Sequence, residues 1–406
     1  MEGSAGVSEG TRTLDNRNHN PGLYRLSYTH HRWVVRLEGF EPPTYGSGIR
    51  RSIQLSYRRT DLSEDQGPHS SGPSDAMSND SSILEVGLDS IRGAARAGEG
   101  RLHRTPLLRS STLSRMTGLE VWLKTENLQK TGSFKPRGAL FRMASLTAQD
   151  RRRGVMTASA GNHSQGLAWA AGQLGVPVTV VMPATAPQAK VDATRGYGAT
   201  IIQHGEIFDD ALERALEIQK QTGLTFVHPD LDPAMVAGAG TIGLEILEDL
   251  PDVHAIVVPI GGGALAGGIS IATKATSQSV RIFGVQPQGA PSMKRSLEAG
   301  RLIVLEQARS IADGMAGRAV FAETLALAQR HMEDVLLVSD EAVLRAITIL
   351  LARCKLLAEG AGAAPVAAMM EKLVPVPPGS KVVAVISGGN LDLTRLSRWL
   401  AEGLQA

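Results

Sequence analysis

The chain of 406 residues has one cysteine, seven phenylalanines, five tyrosines and four tryptophans, and its formal net charge is only +2. Each scarcity excludes something. A lone cysteine, Cys354, cannot close a disulfide within the chain, and its apolar setting in AITILLARCKLLAEG suits a packed helix residue rather than a nucleophile. Near-neutral charge argues against nucleic acid or an anionic membrane as the main partner. No apolar run approaches the length of a membrane span, and MEGSAGVSEGTRTLDN lacks a signal-peptide core, so the expected compartment is the cytoplasm. With 42% hydrophobic and 20% charged residues, the chain can bury the core of one large or two ordinary domains. Small-molecule chemistry is the class that remains.

Organisation changes along the chain. Residues 1–84 lack sustained periodicity, are broken by GFEPPTYGSG and QGPHSSGPSD, and hold Tyr24, Tyr28, Tyr45 and Tyr57, against Tyr197 alone downstream. NRNHNPGLYRLSYTHH and RLEGFEPPTYGSGIRRSIQLSYRR resemble peptides obtained when bacterial transfer-RNA genes are translated. A disordered extension over 1–84 is expected, with the true start near Met77; the competing reading is an RNA-binding arm rich in Arg and Tyr. From residue 85 onward, VWLKTE, GVMTAS, PVTVVMP, ATIIQHG, TFVHP, AIVVPIGG, RIFGVQP, DVLLVSD and KVVAVISGG read as strands separated by helix-like segments. Continuously apolar strands of this kind belong to buried parallel sheets. The expected fold is α/β, with two doubly wound open parallel sheets, helices on both faces and ligands beyond the carboxyl ends of the strands.

Four stretches carry chemistry. In TGSFKPRGAL, Pro136 suits the first position of a helix, which places Lys135 at the helix mouth, where partial positive charge favours a neutral amine. The bland reading is an exposed base beside Arg137. TASAGNHSQG has a turn at Ser159, Gly161 and Asn162 that opens an apolar helix, a fit for a carboxylate; His163 reads as a structural hydrogen-bonder before a general base. PIGGGALAGG places consecutive glycines after a buried strand, a phosphate cradle. Gly261, Gly263 and Ala266 also satisfy a dinucleotide fingerprint, but RIFGVQPQG ends near Gln286 without the acid that would hold a ribose, leaving a dehydrogenase as runner-up. In VISGGNLD, Ser387 can give a neutral hydrogen bond to a ring nitrogen, although a plain turn also explains Gly388 and Gly389. Lysine, carboxylate turn, phosphate cradle and ring-nitrogen partner together match pyridoxal phosphate.

The runs KTENLQKTGSFKPRGAL, ASAGNHSQG, HPDLDPAMVAGAGTIGLEIL, VVPIGGGALAGG, IADGM, KLLAEGAGAAPVAAM and VISGGNLDLT resemble, in order over residues 85–406, the threonine/serine dehydratases, or threonine ammonia-lyases, of the tryptophan-synthase-β-like pyridoxal enzymes. The resemblance implies Lys135 as the Schiff-base lysine and Phe134 beside the cofactor ring. It implies Ser159, Ala160, Gly161, Asn162 and His163 as the substrate-carboxylate loop, with Asn162 also reaching the cofactor's phenolic oxygen. Gly261, Gly262, Gly263, Ala264 and Leu265 become the phosphate cradle and Ser387 the ring-nitrogen partner. Glu359 matches a carboxylate near the cofactor; its alternative is an acid near the start of the next helix.

The same resemblance implies a large domain of residues 85–147 and 232–406, a small mobile domain of residues 148–231, and the cofactor between them. The expected reaction removes water and ammonia from L-threonine, and from L-serine, giving 2-oxobutanoate or pyruvate, with isoleucine biosynthesis as a metabolic setting. Serine racemase and a dehydratase of hydroxyaspartate or another hydroxy amino acid are the alternatives. A homodimer or homotetramer is expected, and no C-terminal regulatory domain. Departures from the family pattern are Ala264 for a glycine, Ala239 for a glutamine, and Gln286 and Ser292 for two carboxylates that hold a divalent metal in racemase relatives, so no metal is expected. Ala160 stands where those racemases carry a second serine.

Overall fold

A computed structural model describes residues 24–29, 32–37 and 82–403. They fall into two compact units. The first contains β1 (Tyr24–Thr29) and β2 (Arg32–Leu37), paired antiparallel. This hairpin was not expected, because six-residue strands without a longer periodic context leave little pattern to read. The rest of the expected disorder over 1–81, and the start at Met77, lie outside the described residues. Order reaches slightly further upstream than residue 85: Ile83–Glu85 form a 3-10 turn and Ile83 is buried.

The second unit holds two sheets. Six strands run in the order β11 (Asp334–Val338), β10 (Arg281–Pro287), β9 (Ala255–Pro259), β12 (Lys381–Val385), β4 (Glu120–Lys124) and β3 (Leu107–Arg109). All neighbours are parallel except β3, which closes the edge antiparallel to β4. Four wholly parallel strands form the other sheet, in the order β7 (Thr200–Gln203), β6 (Val178–Met182), β5 (Val155–Ala158) and β8 (Thr225–Phe226). Every strand-like run read from residue 85 onward holds one of β4–β12. The strand that escaped, β3, has three residues and is largely exposed, too short to show a period.

Apolar continuity follows from burial on both faces. Ala255, Val257, Val382 and Ala384 face one core, while Ile256, Val258, Val383 and Val385 alternate into the other. The smaller sheet repeats this division: Val155, Val178 and Val180 point one way, Met156, Ala158 and Val181 the other. The small-residue run AMVAGAGTIG has a packing cause. It lies in the helix Pro233–Asp249, on which the helix Pro136–Ser145 rests so closely that a methyl group on Gly138 would sit 2.5 Å from Met235 Cα. That backbone contact fixes the helix whose mouth is Lys135. Cys354 ends a π-helical turn, Leu350–Cys354, with its Sγ 3.5 Å from Ser110 Oγ, so the expected regular helix is locally widened there. Among the described residues no helix is long and apolar enough to cross a membrane.

Candidate active site

Lys135 immediately precedes the helix Pro136–Ser145, with Pro136 in its first turn. Its own backbone is helical, φ −56° and ψ −33°, contrary to the usual preference of a residue before proline. Two neighbouring contacts hold it there: Phe134 N–H donates to the Ser387 carbonyl at 3.1 Å, and Ser133 bridges Gly388. Lys135 Nζ lies 5.0 Å from the Phe134 ring centroid and donates to the Pro229 carbonyl at 3.1 Å. Burial pulls this amine below its ordinary value, while the negative charge of Asp230 opposes the shift. Desolvation is therefore the leading cause, where the sequence had suggested helix-end charge.

The loop after β5 approaches from the smaller sheet. Ser159 N–H donates to Val181 O at 3.1 Å, Gly161 N–H donates to Ser159 Oγ at 3.2 Å, and Asn162 begins the helix Asn162–Gln173. Asn162 Nδ2 donates to Glu359 Oε1 at 2.7 Å, and Asn162 Oδ1 accepts from Asn390 Nδ2 at 2.8 Å. Asn390 Nδ2 also reaches the Thr131 carbonyl at 2.7 Å, so one amide ties the turn before Lys135 to the loop after β12. Glu359 precedes the helix Gly360–Met370, yet its side chain makes no capping bond and turns to Asn162 instead. Glu359 thus stands at the start of the next helix without capping it.

His163 is buried, and its Nε2 lies 3.1 Å from the Val227 carbonyl, which can only accept; Nε2 therefore carries the proton. Burial, aided by the Lys135 charge, pushes this imidazole down to about 3, so it stays neutral. The ring is a hydrogen-bonder between the helix and the strand-end loop, in accord with the bland reading. Ala160 packs, half-buried, against the core of the smaller sheet.

The glycine turn follows β9. Gly263 takes φ 113°, open to glycine, and caps the helix Ala264–Thr276. Ala264 is already helical and buried, so alanine is accommodated there: the unusual torsion falls one residue earlier. Leu265 is buried in the core below. Over the turn lies a residue the sequence reading missed. A methyl on Gly262 would collide with the Asp230 carboxylate, and Ala264 N–H points at Asp230 Oδ1 from 3.5 Å. His228 was missed as well. Its Nδ1 accepts from the backbone amides of Asp230 at 3.1 Å and Leu231 at 3.0 Å, shaping the turn that carries the carboxylate. TFVHP ending a strand beside HPDLD was the available signal.

Ser387 is buried just beyond β12, beside Phe134. Gln286 is engaged internally: Oε1 accepts from Met293 N at 2.9 Å and Lys294 N at 3.2 Å. Its Nε2 lies 3.4 Å from Ser292 Oγ. Ser159, Gly161, Gly261 and Ser387 thus all follow parallel strands at their carboxyl ends, as the topology requires. The site also fits a polar ligand on its own chemistry. Among the described residues, Thr131 Oγ1, Ser133 Oγ and His163 Nδ1 are buried without a hydrogen-bond partner, and they cluster by sequence and contact around Lys135 and Asn162.

Comparison with known proteins agrees with this geometry. The family described as "Pyridoxal-phosphate dependent enzyme" matches residues 99–388, more than half of the chain, and the chain belongs to that family. L-threonine ammonia-lyase of Thermotoga maritima is 48% identical over 319 residues, 79% of this chain and 79% of that protein. Maize serine racemase superposes with a TM-score of 0.75 at 33% identity, covering 79% of this chain and 98% of that one. The processed threonine deaminase isoform 2 of Solanum lycopersicum gives 0.73 at 34% identity, with coverages of 78% and 94%. Within the pyridoxal-phosphate enzymes, the chain therefore stands with the threonine ammonia-lyases and dehydratases.

Burial raises the Glu359 carboxyl from 4.5 to about 7, despite the hydrogen bond from Asn162. A carboxyl raised on folding contributes stability below its unfolded value, and that contribution is lost as pH rises through the folded value. Glu359→Gln should escape the loss. Relative to the unmodified protein it is expected to gain on the order of 2 kcal/mol between pH 4.5 and 8. Urea unfolding at both pH values measures this difference; an unchanged gap between the two proteins would mean that Glu359 is already ionised at pH 5.

Proposed function

We propose that the protein is a pyridoxal-phosphate-dependent ammonia-lyase that converts L-threonine to 2-oxobutanoate and ammonia, and L-serine to pyruvate and ammonia. The observation that carries this reading is Lys135, a buried amine depressed below its ordinary value at a helix mouth beside Phe134. The relatives named for threonine ammonia-lyase and threonine deaminase support the substrate. Lys135 would hold the cofactor, the turn Gly261–Leu265 its phosphate, Asn162 its phenolic oxygen and Ser387 its ring nitrogen. When bound, the cofactor supplies an electron sink for charge left at the substrate α-carbon.

The chain's own groups do the rest. Lys135 Nζ, its proton affinity lowered by burial, would take the α-proton of a bound substrate. Backbone amides at Ser159–His163, opening a helix, suit the substrate carboxylate. A neutral Ser387 hydroxyl would hold the ring nitrogen by a hydrogen bond without supplying a full positive charge. In this reading residues 148–231, which carry the four-stranded sheet, form a mobile small domain against 85–147 and 232–406. A homo-oligomer and a place in isoleucine biosynthesis rest on the family resemblance, and a cytoplasmic location on the single cysteine. Purified protein given each hydroxy amino acid in turn, with 2-oxo acid release followed, tests the activity directly; release from neither L-threonine nor L-serine would refute it.

The likeness to maize serine racemase favours a second reading. Racemisation needs an acid on the face of the α-carbon opposite Lys135. By the family resemblance Ala160 would stand on that face, and its methyl group cannot carry a proton. L-serine should therefore give pyruvate with little D-serine on chiral chromatography, and Ala160→Ser should raise the D-serine fraction. D-serine formed by the unmodified enzyme as fast as pyruvate would transfer the assignment to racemase.

A further inference from the structure

The Asp230 carboxylate is the one feature at odds with a phosphate cradle. It lies directly over Gly262, in the space that a side chain there would need, and faces Ala264 N–H from 3.5 Å. These are the two features of a glycine turn that receive an anion: open space above the glycines and free amides at the helix start. Asp230 has not drifted there on a loose loop. Its backbone amide and that of Leu231 both donate to His228 Nδ1, and the His228 ring stands edge-on to Phe321 with centroids 5.1 Å apart. One residue upstream, the Pro229 carbonyl accepts from Lys135 Nζ. The segment 228–231 thus links the lysine to the turn and delivers a carboxylate into it.

We propose that Asp230 sets the affinity of this cradle: its carboxylate competes with the cofactor phosphate for the Ala264 amide and for the space over Gly262. This rests on the reading of the turn as the phosphate site. Two anions cannot share the Ala264 amide without repulsion, so an entering phosphate must displace the side chain or bind against its charge. Asparagine at 230 keeps the size and the acceptor but removes the charge; serine removes both bulk and charge.

The test is equilibrium binding, independent of turnover. Pyridoxal phosphate is titrated into cofactor-stripped protein and followed by absorbance and tryptophan fluorescence, for the unmodified chain, Asp230→Asn and Asp230→Ser. In parallel, thermal midpoints are measured against inorganic phosphate, with chloride at matched ionic strength. Both variants should bind the cofactor about tenfold more tightly, and phosphate alone should raise their midpoints more than that of the unmodified protein. Unchanged or weaker cofactor binding in both variants overturns the proposal even when borohydride reduction still fixes the cofactor on Lys135. Should pyridoxal phosphate bind none of the three proteins, the functional reading fails instead, and the phosphate series alone decides about Asp230: equal midpoint gains would overturn it.

Discussion

Lys135→Ala should lower 2-oxobutanoate release from L-threonine by at least about 10³-fold, the scale of a lost positioned base, and should abolish covalent labelling after borohydride reduction with pyridoxal phosphate. The expectation comes from two properties of one amine. Burial lowers its proton affinity, with the Asp230 charge opposing the shift. The residue also sits where the turn before the helix Pro136–Ser145, the Ser387 loop and the Pro229 carbonyl converge, so a substitute elsewhere cannot reach the same point. Lys135→Arg serves as the stringent control. It keeps the positive charge but offers no neutral nucleophile near pH 7, and it should be as inactive as the alanine variant. In the unmodified enzyme, peptide mapping should place the reduced label on Lys135 alone. A label on another lysine, or a tenth of the activity surviving in Lys135→Ala, would remove Lys135 from the chemistry and with it the reading of the site.

What was legible in the sequence follows physical range. Strands such as β5, β9, β10 and β12 announce themselves because burial on both faces demands uninterrupted apolar residues, a purely local signal. Pro136 marks its helix for an equally local reason, the missing amide proton. The glycines at 261–263 could be read as a cradle because free backbone amides after a buried strand have few other uses. Asp230 could not. Its role depends on β8 and β9, in different sheets, bringing HPDLD over GGGA, and nothing within either stretch states that distance. Asn390 is similar: its amide joins Thr131 to Asn162, residues far apart in the chain. The cause of the Lys135 shift was assigned to a helix end because helix ends are visible in sequence, whereas depth of burial is not.

Arg137 is the sharpest case of a residue hidden by its type, and its removal should cause the largest loss of stability. A charged side chain in KPRGAL reads as exposed, yet only 3% of this one is accessible. Its guanidinium donates to both oxygens of Glu126, at 2.7 and 2.8 Å, and to both oxygens of Glu245, at 2.7 and 3.0 Å. Thr241 Oγ1 accepts at 3.0 Å, and the buried Lys124 completes the group by pairing with Glu245 and donating to the Thr105 carbonyl at 2.8 Å. Two cations and two carboxylates balance under the helix that begins at Pro136. Burial alone would raise the Glu245 carboxyl, but the Arg137 and Lys124 charges outweigh it and hold it below its ordinary value. That stability is present above the ordinary carboxylate range and is lost as pH falls through the lowered value. Arg137→Met preserves much of the volume and deletes the charge, leaving Glu126, fully buried, with only the Thr105 hydroxyl as a side-chain donor. The expected cost is about 3–5 kcal/mol, the penalty for stranding a buried carboxylate rather than the net worth of the ion pairs. Urea unfolding at pH 7 gives the number. Adding Glu126→Gln to Arg137→Met should recover part of the loss, because the stranded charge is then gone, whereas Arg137→Lys should recover little, since one ammonium cannot serve two carboxylates bidentately. A loss below about 1 kcal/mol in Arg137→Met would show that Glu126 takes up a proton at little cost, and that the backbone contact between the helices, not this charge group, holds Lys135 in place.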